Sequence, residues 1–372
     1  MKKIGITGQN GFVGSHLYNT LALHPEKFER ISFEREFFDD QDKLNGFVQQ
    51  CDVIVHLAAM NRNPDPEVIY NNNIDLVKKL TQALENTNSE AHVIFSSSSQ
   101  EEKDNLYGKS KKEGRELLAE WAEKKGGKFT GMVIPNVFGP FGKPNYNSFI
   151  ATFCHKLTHG EVPSIDQDGE VKLIYVGELV QEMIKEIESG ESKKLYEVAP
   201  TSTNKVSEVL QKLENYKKLY FENGEIPVLE TKFDLNLFNT FRCYFDIKNH
   251  YPVKFTQHTD PRGAFVEVIR LGIGGQCSFS TTVPGITRGN HFHTRKIERF
   301  AVIKGKALIQ LRKIDTDEVL DFYLDGNEPA YVDMPIWYTH NIKNIGEEEL
   351  YTIFWINEPF NPEDSDTYFV EV

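Results

Sequence analysis

Along the first 140 residues, short apolar runs alternate with longer stretches in which apolar side chains recur every three or four positions. The runs at 4–6, 30–33, 53–57, 93–95 and 131–134 read as strands, and the periodic stretches at 13–23, 68–84 and 107–125 each present one apolar stripe of a helix. Alternation of this kind predicts a parallel sheet covered by helices. From 179 to 218 the pattern is helix-rich and charged. Beyond Asn249 it changes to short runs of Val, Ile, Phe and Tyr broken by glycine and proline, at 264–271, 300–311 and 350–356, which predicts an all-β sandwich or barrel. The expected fold class is therefore α/β followed by all-β, in two domains of 1–245 and 246–372.

Composition narrows the functional classes. The 372 residues carry 42 Lys and Arg against 55 Asp and Glu, a net charge of −13. That balance argues against nucleic acid or an anionic membrane surface as the main partner, while a local pocket can still bind a small anion. No apolar run approaches the length of a membrane span, and Met1-Lys2-Lys3 leads within about four residues to a glycine turn, so neither membrane insertion nor a signal peptide is expected. Cys51, Cys154, Cys243 and Cys277 stand singly, as reduced thiols in a cytoplasmic protein would.

Candidate chemistry begins at the first turn. Thr7-Gly8-Gln9-Asn10-Gly11-Phe12-Val13-Gly14 follows the first strand and opens the first helix, which places bare N–H groups and the positive helix end where a pyrophosphate would sit. Arg35 lies 21 residues beyond Gly14, where a cation would accept the 2′-phosphate of NADP, and its neighbour Glu34 could instead bond the ribose hydroxyl of NAD. Tyr107 and Lys111 are four apart, one turn along a helix face. A nearby ammonium is expected to lower the phenol's pKa by favouring the phenolate, so that Tyr107 can give a proton to a carbonyl oxygen while a hydroxyl from Ser96-Ser97-Ser98-Ser99 holds that oxygen.

These residues, with Asp52-Val53-Ile54-Val55-His56-Leu57-Ala58-Ala59, Pro135-Asn136-Val137-Phe138-Gly139-Pro140 and Leu173-Ile174-Tyr175-Val176, resemble the extended short-chain dehydrogenase/reductase family, in particular its nucleotide-sugar epimerases, dehydratases and reductases. The resemblance covers about residues 1–240 and implies a Rossmann fold. It also implies a catalytic trio of Ser98, Tyr107 and Lys111, and a cofactor lined by Leu57, Ala58 and Ala59. The segment between the serines and Tyr107 is shorter than that family's usual one.

A second constellation lies in the β-rich part. Gly285 is followed after five residues by His291-Phe292-His293, after four more by Glu298 and after six more by Gly305; downstream come Pro335, His340 and Asn344. Histidines at i and i+2 on a strand share a face, and three imidazoles with one carboxylate suit Zn, Fe, Mn or Ni. The spacings resemble both motifs of the cupin family, with Trp337 where that family usually has glycine, and imply a double-stranded β-barrel over about 250–372.

A reductase module fused to a metal cupin is similar to the bifunctional enzymes of capsular polysaccharide precursor synthesis. That resemblance implies zinc, NADPH, a homodimer and a UDP-sugar substrate. The cupin would epimerise C3 of a UDP-2-acetamido-2,6-dideoxy-4-keto-hexose, and the reductase would then reduce C4 to give UDP-N-acetyl-L-talosamine. Lys296, His258 and Tyr338 are candidates for the base by residue type. Two alternatives stay open: a monofunctional keto-sugar reductase with a structural cupin, and a non-enzymatic dinucleotide-responsive binding protein.

Overall fold

The computed structural model describes residues 1–261 and 263–372. Its contacts divide the chain into two compact units, Met1–Thr152 with Ile165–Ser207, and Phe153–Ser164 with Glu208–Val372.

In the first unit, strands β1 (Lys2–Thr7), β2 (Phe28–Ile31), β3 (Val53–His56), β4 (His92–Ser98) and β5 (Lys128–Ile134) alternate with helices α1 (Phe12–Ala22), α2 (Gln41–Gln50), α3 (Pro66–Asn86) and α4 (Leu106–Lys125). The chain continues through β6 (Asn136–Phe138), α5 (Phe149–Thr158), β7 (Glu170–Tyr175), α6 (Val176–Ser189), β8 (Lys193–Glu197) and β9 (Ser202–Lys205). Six strands form one parallel sheet in the order β2-β1-β3-β4-β5-β8. Apolar side chains are buried on both of its faces, as a parallel sheet requires. Leu44, Phe47, Leu80, Leu84 and Trp121 pack with Phe95 and Phe129 on one, and Leu17, Leu21, Leu179 and Met183 with Ile6, Val55 and Met132 on the other. The strand order reverses beside β1, so the carboxyl ends of β1, β3 and β4 open onto the crevice where such sheets bind ligands.

Two details differ from the sequence pattern. Helix α2 carries no clear sequence signal, because its apolar stripe is only Leu44, Phe47 and Val48; Asp40 starts it by accepting from the Asp42 and Lys43 amides. The stretch read as helix-rich also holds strands β8 and β9 between α6 and α7 (Val206–Tyr216).

The second unit is built on two five-stranded antiparallel sheets. One runs Val253–Lys254, Ala330–Met334, Glu298–Lys304, Leu350–Ile356, Gln276–Thr282, and the other Val319–Asp325, Lys306–Lys313, Tyr338–Asn344, Thr287–Phe292, Tyr368–Phe369. A hairpin of Gln257–Asp260 with Gly263–Val266 stands apart. The run expected at 300–311 is two strands, because Gly305 adopts φ +85 and turns the chain.

The boundary read near residue 245 falls inside this unit. Composition turns β-rich there, but the helical residues before it pack with the barrel. Arg299 forms a two-pronged ion pair with Asp333 at 2.7 and 3.0 Å, and Asp333 also accepts from the Tyr220 hydroxyl at 2.8 Å. Arg242, just beyond α8 (Lys232–Phe241), donates to the Tyr220 oxygen at 3.2 Å and the Met334 carbonyl at 2.8 Å. Asp333, Arg242 and Arg299 are all buried. Asp333→Ala is expected to cost about 3–5 kcal/mol, since it strands buried cations without their counter-charge. Denaturant unfolding followed by fluorescence checks this; a loss under about 1 kcal/mol would contradict it.

Candidate functional site

The first-unit site is a cavity of about 690 Å³ at the carboxyl end of the parallel sheet. Gly8, Asn10, Gly11, Phe12, Val13, Gly14, Leu57, Ala58, Ala59, Tyr107 and Lys111 all line it, as does Ser98. The glycines are dictated by close approach. Gly8 has φ +79, and a Cβ on Gly14 would lie 2.1 Å from the Gly8 carbonyl oxygen. Helix α1 starts at Gly11 with no side chain capping it and no acidic residue in its first turn, so its N-terminal dipole faces the cavity unopposed by local side chains. These features fit a dinucleotide pyrophosphate.

Arg35 stands elsewhere. Both it and Glu34 are exposed, where the chain enters a 3-10 turn beyond β2, and neither lines the cavity. The signal that placed Arg35, its distance along the chain from the glycines, does not by itself bring the side chain to the pocket.

The short segment after β4 is compact. Ser98 caps a 3-10 turn over Ser99–Glu102 by accepting from the Gln100 amide, and Asn105 then caps α4 by accepting from the Gly108 amide at 2.7 Å. A Cβ on Gly108 would meet the Gln100 carbonyl at 2.0 Å, so glycine lets α4 press against this turn. The four serines separate by geometry. Ser96 donates to the His56 carbonyl and Ser97 to the Glu101 carboxylate, whereas the Ser98 hydroxyl hydrogen-bonds the Tyr107 phenol. Glu101 is held in turn by a two-pronged pair with Arg115.

The electrostatics correct one expectation. Burial pushes the Tyr107 phenol up to about 12, with neighbouring Tyr146 adding to the rise and the Ser98 bond opposing it. Lys111 does not bring the phenol down. Its ammonium donates to the Ser96 carbonyl at 2.8 Å and lies 5.9 Å from the Tyr107 ring centre. Lys111 is itself buried, and desolvation lowers it to about 8 despite the opposing charge of Glu101. Beneath it, burial lowers His56 to about 3, with the Lys111 charge a second cause. The cavity also holds Asn136, from the motif at 135–140, and two residues that spacing could not reveal, Lys143 and Tyr146, which belong to no local motif.

In the second unit His291, His293, Glu298 and His340 bring one donor atom each to within 4.8 Å of one another. His291 and His340 are paired across neighbouring strands, beside a bulge at Gly289 and Asn290, and Glu298 opens a strand of the other sheet. Glu298 Oε2 lies 3.2 Å from His293 Nε2 and 3.1 Å from His340 Nε2. Burial favours the neutral carboxyl, but the two imidazoles outweigh it and hold Glu298 well below the carboxylate range. His291 is lowered to about 4, chiefly by burial.

The donor set fits a divalent metal. His293 Nδ1 donates to the Asp366 carbonyl at 2.6 Å, His340 Nδ1 to the Tyr338 carbonyl at 3.2 Å, and His291 bonds the Gly289 backbone. Imidazoles oriented in this way through one nitrogen turn the other inward as a ligand. His340 is fully buried, and its Nε2 turns into the cluster toward Glu298 Oε2. The departure at Trp337 is accommodated: it takes the left-handed φ of +63 that glycine would favour, stacks on Phe292 at 5.5 Å and donates its amide to the His293 carbonyl. Asn344 is structural, fastening the Thr282 and Glu348 carbonyls. Of the base candidates, Lys296 is buried with its ammonium on the Ser365 carbonyl, His258 is on the exposed hairpin, and Tyr338 is half-buried and raised by desolvation.

Residues 4–199 match the model of the NAD dependent epimerase/dehydratase family. The chain belongs to that family. As a member of it, it carries a second matched module, the polysaccharide biosynthesis C-terminal domain, over 258–368. The UDP-2-acetamido-2,6-beta-L-arabino-hexul-4-ose reductase of Pseudomonas aeruginosa is 32% identical over 374 residues, covering 100% of this family member and 99% of the relative. The crystal structure of the capsular polysaccharide assembling protein CapF from Staphylococcus aureus is 33% identical, with a TM-score of 0.63 and full coverage of both chains. The spore coat polysaccharide biosynthesis protein SpsL of Bacillus subtilis is 27% identical over 123 residues, 30% of this chain and 82% of its own. Among the described residues, no helix is long and apolar enough to cross a membrane.

The Lys111 shift has a consequence for stability. Lys111 releases its proton at about 8 in the folded chain against 10.5 ordinarily. Below about pH 8 both states are protonated and the full cost of the buried charge is present; from about 8 to about 10.5 the unfolded chain holds more protons, so stability rises with pH. Lys111→Met is expected to be more stable than the parent by about 1 kcal/mol or more at pH 7. That gap should close by pH 10 in ligand-free denaturant titrations; a gap that is absent at pH 7 or widens with pH would refute the assignment.

Proposed function

We propose that the chain is a bifunctional nucleotide-sugar enzyme. Its metal half epimerises C3 of a UDP-2-acetamido-2,6-dideoxy-4-keto-hexose, and its dinucleotide half then reduces the C4 ketone with NADPH to UDP-N-acetyl-L-talosamine. The observation that carries this is the coexistence in one chain of a Ser98–Tyr107–Lys111 cluster lining a dinucleotide cavity and a closed set of His291, His293, Glu298 and His340. Full-length similarity to a protein named as a reductase of a UDP-linked 4-keto sugar supports the substrate class.

In the reductive half, the exposed first turn of α1 would hold the pyrophosphate and Leu57, Ala58 and Ala59 the adjoining wall. Bound NADPH supplies hydride. Tyr107 supplies the proton: with its pKa near 12 it is fully protonated at neutral pH, and Ser98, bonded to it, is placed to hold the same carbonyl oxygen. Lys111 lines the same cavity with its ammonium on the Ser96 carbonyl, and is placed to hold the cofactor there.

In the other half, His291, His293, Glu298 and His340 would hold zinc, which supplies Lewis acidity toward a carbonyl oxygen. A C4 ketone acidifies the C3–H bond beside it, and reduction removes that activation. Epimerisation must therefore precede reduction. A homodimer in the cytoplasm remains part of the proposal through resemblance.

Two measurements separate the halves. Incubating the zinc-loaded chain with the keto sugar in D₂O, without NADPH, is expected to place deuterium at C3. No incorporation would sink the epimerase claim and leave a reductase, the only activity the full-length relative's name states. Tyr107→Phe is expected to slow NADPH oxidation by about 10²–10⁴-fold while keeping C3 exchange; unchanged NADPH oxidation would remove Tyr107 as the acid.

A further inference from the structure

Residues 364–371 lie about 70 positions beyond the first metal-site histidines, yet they touch every histidine-bearing segment of the site. Tyr368–Phe369 adds a strand beside Thr287–Phe292, pairing Phe369 with His291. Tyr368 stacks on Phe292 at 5.3 Å, the Val370 amide donates to the Asn290 carbonyl at 3.0 Å, and the Thr339 hydroxyl donates to the Val370 carbonyl. Thr339 immediately precedes His340.

The densest contacts belong to Asp366, which is 4% exposed. Its carboxylate accepts from the Thr294 amide at 3.0 Å, the Thr294 hydroxyl at 2.6 Å, the Arg295 amide at 3.0 Å and the Lys296 amide at 3.1 Å. Three successive amides of the turn after His293 thus converge on one anion. Asp366 adopts φ +41, a left-handed conformation that Asp tolerates better than most residues. In that conformation its carbonyl oxygen meets His293 Nδ1 at 2.6 Å.

We infer that Asp366 is a positioning residue for the metal centre, acting through His293 by two handles on one residue. The carbonyl fixes the proton of His293 on Nδ1 and leaves Nε2 as the ligand; the carboxylate holds the turn that sets where the ring stands. This rests on the four-donor cluster being a metal site. Removing an outer partner of a metal-bound histidine costs about 10–100-fold in affinity in comparable sites. The carboxylate handle can be removed by mutation while the carbonyl remains, and the two contributions are therefore separable in degree. Asparagine keeps one acceptor oxygen and the tolerance for positive φ, whereas alanine keeps neither.

The test uses the full chain, with zinc alone as the probe. Zinc affinity is read by competition with a chromogenic chelator, and ligand geometry by the visible spectrum of the cobalt-substituted protein. Asp366→Ala is expected to bind zinc at least 10-fold more weakly with an altered cobalt spectrum, and Asp366→Asn to fall between it and the parent. Glu328→Gln, at an exposed ion pair with Lys254, is expected to match the parent. Parent-like affinity and spectrum in Asp366→Ala would overturn the inference. A parent chain that binds neither zinc nor cobalt would instead overturn the metal-site reading on which it rests. Should Asp366→Ala fail to fold, amide exchange of the parent decides: zinc is expected to slow exchange at 294–296 and at Val370, and unchanged exchange there would overturn the proposal.

Discussion

Charge that is buried must be answered locally, and both units are organised by that requirement. In the first, the Lys111 ammonium is removed from water and answered by the Ser96 carbonyl, the face of the Phe95 ring and the Glu101 carboxylate, with no carboxylate in direct contact among the described residues. It is therefore held at a cost, and its proton is loosened. In the second, Asp333 answers Arg299 directly and Arg242 through Tyr220, which ties helical residues to the barrel; Glu298 is answered by two imidazoles and Asp366 by three amides. The fully answered charges build structure. The incompletely answered group, the Lys111 ammonium, lines the cavity of the first unit.

What was legible in the sequence is what chain spacing can encode. The glycine turn, Tyr107 with Lys111, and the two halves of the metal box are local patterns whose residue types have few other uses together. Their placement needed only the strand before, the helix after, or the alternation of a strand. Properties that depend on contacts across the fold were not legible. The sign of the Tyr107 shift follows from burial, which spacing does not report, and from a Lys111 head group turned toward Ser96. The choice of Ser98 among four serines depends on the turn at 99–102, and Asp366 carries no signal at all because its partners are some 70 residues away. The helical residues before 245 looked like part of the first domain because composition tracks secondary structure, whereas the Tyr220, Arg242 and Asp333 contacts decide what packs with what.

Trp337 illustrates how a departure from a motif can preserve its geometry. A left-handed residue is needed there so that the chain, leaving the strand at 330–334, can enter the next one with His340 facing inward. Glycine meets that need without strain. A tryptophan pays roughly 1–2 kcal/mol for the same φ, and burying a large ring against Phe292 is worth at least as much. That ring stacks on Phe292, the residue between His291 and His293 in the first motif, so the strain is offset by packing on the ligand-bearing strand.

The raised pKa of Tyr107 bears on the direction of the chemistry. A phenol near 12 is almost entirely protonated at neutral pH and is poised to donate, not to accept. Oxidation of an alcohol would need the phenolate at the outset, and burial opposes that state. Reduction of a ketone needs the proton at the outset, and the phenolate arises only as the oxygen of the substrate takes it. At neutral pH burial thus keeps Tyr107 in the state from which the proposed ketone reduction would start, while the balance between ketone and alcohol, which no catalyst alters, is set by the reactants and their concentrations.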